Sequence, residues 1–524
     1  MRSLLGVLLL FVVVLAFTNP AGDFPLNDDW SYGTAVRNLV ERGEYRLSNW
    51  TSMPLLTQVL WGSLFCLPAG FSFTALRFST LVLSLAALAL LVLVARQSGE
   101  RRPGLLLLGP LVLMFNPVYL ALSQTFMTDV PFMAFTLGSL CLLILGVDRK
   151  STTTLLVGML LALLATLLRQ TGFLIPVAFG IGYLSSRRPT AGRVALAAGF
   201  VAVVGATLLM YGRWLATTGR LPTAYDVQTT QVLAAVSSGI VPTARQFAHS
   251  LLITFTYLGL FTLPIGLFFL SGASKKRLVL LLVISAALLA LTRVLRIGFV
   301  GNILSDRGVG PFTLAPASFA AFTGSAVSKA VFGLLALVGG TLLLEMLRRF
   351  VRNTRQSWTT TLCLSFAALY FVSTVFLQQL DRYMLLYLPL LAAPAALELR
   401  QEPKSRHVTV TGLVVLILYA VFSVTAVHDY LAWNRVRWQA LHHLTAELSV
   451  TADHIDGGFE FNGLYTYDEN YIRTPGKSFW WVKSDDYVVA FDTMPGYALL
   501  RKYPVRSWLP AAVHHIYLLK RTTP

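Results

Sequence analysis

Two adjacent carboxylates, Asp28 and Asp29, stand in the run Leu26-Asn27-Asp28-Asp29-Trp30-Ser31-Tyr32, a few residues beyond the first apolar segment. A carboxylate held near a membrane surface can have a raised pKa and act as a general base on a hydroxyl or amine. The pair also precedes an amphipathic stretch over 31–42, where an aspartate at the helix start would accept backbone hydrogen bonds and suit the dipole. The two readings are compatible, because a capping residue can orient its neighbour. Asp129 lies on a short turn between two apolar runs, in Met127-Thr128-Asp129-Val130-Pro131. Asp followed at two residues by Pro is an ordinary helix start, whereas an acid at membrane depth is costly and points to function. Arg169 stands alone between two apolar runs. Its stem can snorkel to the interface, or its planar guanidinium can bind a phosphate. Asp381-Arg382-Tyr383 repeats the arrangement on a later turn. There the alternatives are an interfacial ion pair worth little, with Tyr383 in an aromatic belt, or an arginine serving a phosphate or sugar.

Other candidates carry less. His428 with Asp429, His442 with His443, and His514 with His515 are sequence neighbours. Adjacent histidines on a helix or strand do not share a face, so a metal site would need further partners. Asn49-Trp50-Thr51 is a glycosylation sequon of a length that recurs by chance. No Walker or dinucleotide fingerprint is present. Cys66, Cys141 and Cys363 all fall in apolar segments, which leaves no disulfide framework or CxxC metal site.

The elements that must position these residues are membrane helices. The 524 residues are 55% hydrophobic and 13% charged, with a mean hydropathy of +0.66. A soluble domain carries about 25% charged residues. Apolar runs near 4–18, 74–95, 105–122, 130–147, 153–168, 173–184, 194–211, 250–270, 278–295, 329–347, 359–377, 383–397 and 408–427 predict about 13 transmembrane helices, because lipid requires each segment to pair its own backbone. Residues 55–70 read as an interfacial helix. The first segment reads as an anchor, since Phe17-Thr18-Asn19-Pro20 is a poor cleavage site. The formal charge of +18 sits in clusters on alternate loops, such as Arg96, Arg101 and Arg102; Arg187, Arg188 and Arg193; Arg348, Arg349, Arg352 and Arg355; Arg400, Lys404 and Arg406. That is the pattern of cytoplasmic loops and gives no continuous face for nucleic acid. It puts the N-terminus in the cytoplasm and the C-terminus outside, with the segments 19–73, 212–249 and 296–328 as outer loops.

The expected fold is therefore an all-α polytopic membrane protein with a small C-terminal α/β extracytoplasmic domain. Residues 1–427 form the multi-span membrane domain and 428–524 the outer domain. In the tail, 434–450 reads helical and 487–491, 497–503 and 515–519 read as strands. Its aromatic residues, among them Phe459, Tyr467, Phe479, Trp480 and Trp481, suit a small core or a surface for sugar.

An acidic pair after the first span with a tyrosine close behind, then Thr128-Asp129-Val130-Pro131 on the next outer turn, resembles the C-type membrane glycosyltransferases. Within them the chain is similar to the protein O-mannosyltransferase and lipid A aminoarabinose transferase group. The resemblance implies a hexosyl or pentosyl transferase that takes its sugar from a polyprenyl-phosphate donor at the outer face of a bacterial inner or plasma membrane. By position it implies Asp28 as catalytic base and Asp129 near the acceptor or a cation. Asp29 replaces the usual glutamate, Arg169 stands where lysine is common near the donor phosphate, and Arg382-Tyr383 match a late Arg-Tyr segment. Tyr32 joins Asp29, Arg169, Arg382 and Tyr383 as an expected substrate contact. No cofactor is required on this reading, although hard oxygen ligands at Asp28, Asp29 and Asp129 would suit magnesium or manganese. The acceptor is open among protein, lipid and glycan. The competing expectation is a transporter or lipid-linked sugar flippase without covalent chemistry, which would call for mid-span charges and inverted repeats.

Overall fold

The computed structural model describes residues 2–522 apart from 98–99, 101, 187, 238, 298, 317–325, 354–356, 401–404 and 511. Arg101, Arg187, Arg355 and Lys404 of the basic clusters, and part of the 296–328 loop, thus lie outside the described residues. The chain opens with α1 (Arg2–Thr18), followed by two short helices in the segment before the next span, α2 (Asp29–Arg42) and α3 (Leu56–Cys66). There follow α4 (Phe73–Gln97), α5 (Pro103–Met114), α6 (Pro117–Leu122), α7 (Asp129–Asp148), α8 (Thr152–Leu168), α9 (Leu174–Ser185) and α10 (Ala191–Thr217). The second half contains α11 (Thr223–Ser237), α12 (Ile240–Gly266), α13 (Lys275–Val294), α14 (Ala326–Asn353), α15 (Trp358–Thr374), α16 (Tyr387–Arg400) and α17 (Arg406–His442). Among the described residues, 8 helices are long and apolar enough to cross a membrane. The chain is an integral, multi-pass membrane protein.

Local chemistry sets the breaks. The run expected as one span over 105–122 is two helices, because Asn116 caps α6 and Pro117 occupies its first turn. The Asn116 side chain accepts from the Val118 and Tyr119 amides at 3.0 and 3.1 Å. Small residues let helices approach closely. A Cβ placed on Gly259 of α12 would stand 2.7 Å from the Ala336 carbonyl of α14, so glycine is what permits that crossing.

Beyond the bundle the described residues form two small sheets. β1 (Leu304–Ser305) and β2 (Gly308–Val309) make a hairpin after α13. In the tail, β3 (Ile455–Asp456), β4 (Tyr487–Ala490), β5 (Tyr497–Pro504) and β6 (His515–Arg521) form one sheet in the order β3-β4-β6-β5. β3 runs parallel to β4, and the other neighbours are antiparallel. α18 (Phe459–Thr466) joins β3 to the aromatic segment that precedes β4. The three expected strands are present, and β3 is the addition. α17 continues without a break through residue 427 and absorbs the first part of the helix expected at 434–450, so no loop separates bundle from tail.

A fully buried ion pair fastens the tail. Arg437 Nη1 of α17 lies 2.7 Å from Glu460 Oε2 of α18, and both side chains are inaccessible to solvent. Arg437 also donates to the Gly457 carbonyl, and Glu460 accepts from Thr313 Oγ1 at 2.9 Å and from the Asn27 amide at 3.1 Å. Removing one partner leaves an uncompensated buried charge, so Glu460→Gln should destabilise the chain by about 3–5 kcal/mol. Thermal unfolding in detergent should show a clearly lower midpoint; an unchanged midpoint would remove this pair as a fastener.

Candidate active site

Asp28 sits at the N-cap position of α2, yet its side chain makes no capping hydrogen bond. The turn before it is made by Asn27 in the left-handed region (φ 55°), a conformation asparagine tolerates. The Asp28 carboxylate instead reaches sideways: Trp50 Nε1 donates to Oδ1 at 3.0 Å, and Arg382 Nη1 lies 3.5 Å from Oδ2. The capping reading is thereby corrected. The helix start positions the backbone, and the side chain is left for other work.

A second ion pair lies beside the first. Asp129, in the first turn of α7, meets Arg169 at the end of α8, with Nη2 3.0 Å from Oδ1. Arg169 Nε donates to Thr128 Oγ1 at 2.9 Å, which fixes the plane of its guanidinium. Arg169 is 8% exposed, so it is no surface arginine snorkelling to the interface. Although the charges are in contact, neither Asp129 oxygen has a hydrogen-bond partner of good geometry among the described residues, and neither does Arg382 Nε. Buried polar groups are ordinarily satisfied. This pocket of charge keeps open donor and acceptor capacity.

Two tyrosines complete the cluster. The Tyr383 ring lies 5.9 Å from the Arg169 guanidinium and 5.8 Å from that of Arg382, within cation–π range of both. Tyr32 is buried one helical turn after Asp28. Burial and then the Asp28 charge push its phenol well above the usual range, while Arg382 and Arg169 act in the opposite sense. The structure thus brings Asp28, Tyr32, Asp129, Arg169, Arg382 and Tyr383 together.

The remaining two acids are used differently. Both Asp29 oxygens accept backbone amides, Oδ1 from Phe126 at 2.8 Å and Oδ2 from Leu26 at 3.2 Å. Asp29 therefore ties the first inter-span segment to the turn before α7, and Gln58 reinforces that tie by donating to the Phe126 carbonyl at 3.0 Å. Among the described residues Asp381 forms no ion pair with its neighbour Arg382, contrary to one sequence reading. It accepts from the amides of Asn302, Ile303 and Leu304, at 2.7 Å for the last, and holds the β1 hairpin against the turn before α16.

Asp28, Asp29 and Asp129 are the carboxylates that a magnesium or manganese ion would use. Two of the carboxylates face arginines and the third is bound by amides, and among the described residues no group of three or more His, Cys, Asp or Glu is placed to hold a metal. His428 stacks on Trp508 at 3.6 Å, and Asp429 accepts the Trp508 and Leu509 amides. His443 pairs with Glu447. Thr51 of the sequon is buried, and Asn49 donates to Glu469 of the tail at 2.6 Å. A cavity of about 700 Å³ lies between α12, α13 and α14, lined by Tyr257, Leu289, Arg293 and Phe299 among others, and none of the clustered residues lines it.

Sequence reasoning missed Trp50, Arg77 and Glu460. Arg77 is the most legible of the three, as a lone arginine inside the apolar run of α4. It donates to the carbonyls of Pro20, Gly22 and Phe24 and so pins the chain just before Asp28.

Residues 53–211 match the family model described as dolichyl-phosphate-mannose-protein mannosyltransferase. The matched stretch contains Asp129 and Arg169, whereas Asp28 and Arg382 lie outside it. The resemblance to the C-type membrane glycosyltransferases, first read from the order of the acidic residues, is supported by this match. No curated protein matches the chain. Among solved structures it is similar to ArnT from Cupriavidus metallidurans bound to undecaprenyl phosphate, with 12% identity, a TM-score of 0.47, and coverage of 87% of this chain and 68% of that one. The apo state of the same protein gives 12% identity, a TM-score of 0.46, and coverage of 87% and 67%. A likeness this loose decides neither fold nor activity.

Burial pushes the Asp29 carboxyl from the ordinary 3.8 up to about 8, against the pull of the Phe126 amide, of Arg77 and of the Leu26 amide. The folded state thus favours the protonated acid. Its contribution to stability is complete below pH 4, declines as pH rises, and is lost above about 8. The unfolding midpoint should fall between pH 5 and pH 9, and Asp29→Asn, uncharged throughout, should flatten that fall. Parallel profiles for the two proteins would contradict the assignment.

Proposed function

We propose that the chain is an inverting glycosyltransferase that moves a sugar from a polyprenyl-phosphate donor to an acceptor on the outer face of a bacterial inner or plasma membrane. The observation that carries this reading is the single cluster of two carboxylates and two arginines, buried at one end of the bundle with open hydrogen-bonding capacity. A lipid-phosphate donor lies in the membrane already. Its anionic group needs arginine at the bundle end and no nucleotide fold.

On this reading Arg169 and Arg382 take the donor phosphate, and Tyr383 keeps the two guanidiniums in place. Once Arg382 turns to the phosphate, Asp28 Oδ2 is free to accept the proton of the acceptor. The acceptor atom bonds to the anomeric carbon from the face opposite the phosphate. The carbon–oxygen bond to phosphate breaks, and the lipid phosphate leaves with the electron pair, so the configuration inverts. The arginines meet the charge that grows on the leaving group, as an oxyanion site does. Asp129 aligns Arg169 and faces the acceptor, Tyr32 lines the same space, and Asp29 holds the loop that carries Asp28. Arginine supplies the positive charge for which a magnesium or manganese ion would otherwise serve. The sugar is a hexose or pentose, and the acceptor a protein, lipid or glycan.

The topology belongs to the same proposal. α1, α4, α5 with α6, α7 to α10, and α12 to α17 make about 13 crossings. That count puts the N-terminus in the cytoplasm and the Asp28 end of the bundle outside. Residues 1–427 then form the membrane domain and 428–524 the extracytoplasmic one, with α17 shared between them.

Purified full-length protein given a polyprenyl-phosphate sugar and acceptor should release free polyprenyl phosphate. Asp28→Asn should lower turnover about 100-fold or more. Arg169→Ala should lower it about 100- to 1,000-fold. Normal turnover in Asp28→Asn would end the role given to that residue. Sugar lipid carried across proteoliposomes intact, with no phosphate lipid released, would replace the proposal with transport.

A further inference from the structure

The base assigned above is held by a residue outside the charged cluster, and that residue is in turn held by the tail. Trp50 donates its indole N–H to Asp28 Oδ1 at 3.0 Å. Its ring packs against Trp481 at 5.2 Å and nearly perpendicular, and against Phe459 at 5.9 Å and Tyr467 at 6.4 Å, all of the C-terminal unit. Trp30, two residues after Asp28, enters the same aromatic group, 5.2 Å from Tyr467 and 5.5 Å from Trp481. The backbone on either side is fastened as well. Glu469 of the tail accepts from Asn49 Nδ2 at 2.6 Å, and Glu460 accepts the Asn27 amide at 3.1 Å. The residue before Trp50 and the residue before Asp28 are thus both anchored to the tail.

We propose that Trp50 is a positioning residue for Asp28, locked by the aromatic face of the C-terminal unit, so that the tail sets the geometry of the base. The proposal rests on the reading of Asp28 as base. A carboxylate gripped through one oxygen has its plane and rotamer fixed, and its other oxygen points at a defined place. Here that second oxygen lies 3.5 Å from Arg382. Without the indole donor, the Asp28 carboxylate is free to rotate, and its second oxygen no longer points at one defined place, while the arginines that take the phosphate stay as they are. The other charged or titratable groups around it are Tyr32 and Asp29 on its own helix, Arg169 and Asp129 across the cluster, and Glu460 behind Asn27. None of these is a donor to Asp28 Oδ1 among the described residues, so Trp50 has no substitute in that role. A misplacement of about 1 Å in a reacting group costs about 100-fold in rate.

The test is a two-background comparison in the full chain. Trp50→Phe keeps an aromatic ring and removes the donor. It should lower kcat about 10- to 100-fold with KM changed less than about twofold, because binding is left intact. In an Asp28→Asn background the same substitution should add no further loss, since there is no base left to orient. Trp481→Leu, which touches the Trp50 ring and no reacting group, should lower kcat in the same direction and show the same non-additivity. Wild-type kcat in Trp50→Phe, or an equal fractional loss in both backgrounds, would overturn the proposal. Should Trp50→Phe fail to fold, Trp481→Leu on the two backgrounds decides in its place. Full activity of Asp28→Asn alone would instead remove the assignment of the base, which is a separate result.

Discussion

The site depends on the cost of burying charge at the end of an apolar bundle. A lone carboxylate or guanidinium there loses several kcal/mol of hydration. Asp28 with Arg382 and Asp129 with Arg169 meet that cost by pairing, and the four side chains sum to no net charge. The pairing is deliberately incomplete in its hydrogen bonds: the Asp129 oxygens and Arg382 Nε remain open. An arrangement with all bonds satisfied would be more stable and would have less to offer an incoming anion.

Each of the four charges comes from a different element: α2, α7, the end of α8 and the turn before α16. Their convergence requires the loops to be held as firmly as the helices. The chain does this with acids adjacent to the working residues. Asp29 follows Asp28 and binds the amides of Leu26 and Phe126, and Asp381 precedes Arg382 and binds those of Asn302 to Leu304. Two or three backbone amides on one acid fix the chain segments they come from and leave little freedom for a slip of register. Arg77 does the same with carbonyls at Pro20, Gly22 and Phe24. Working residue and brace are neighbours in sequence and diverge in space.

That divergence marks the limit of what the sequence could show. Apolar runs and the basic clusters between them were enough for the class of fold, since lipid leaves few alternatives for the backbone. Asp28, Asp129, Arg169 and Arg382 were legible as charges at the ends of apolar segments. The division of labour within Asp28-Asp29 and Asp381-Arg382 was not, because it turns on which side chain meets an amide contributed from far along the chain. Trp50 was hidden in a chance sequon, and Glu460 among aromatic residues, each with a partner hundreds of residues away or a role only packing reveals. The tail strands were read from their alternation, but β3 is two residues long and too short to carry a pattern.

α17 is one helix from Arg406 to His442, and its last turns carry Arg437 into the tail. It acts as a mast of fixed pitch. A helix advances 1.5 Å and turns about 100° for every residue. The azimuth at which the tail faces the site is therefore written in the number of residues between Val427 and Arg437. Lengthening that stretch by a single residue would swing the aromatic face away from Trp30 and Trp50, whereas inserting seven would restore its bearing at a greater height. A change of length in this stretch would thus keep the site only in whole steps of the helix, unlike one in a loop. The spacing along the mast is as much a part of the site as any side chain in it.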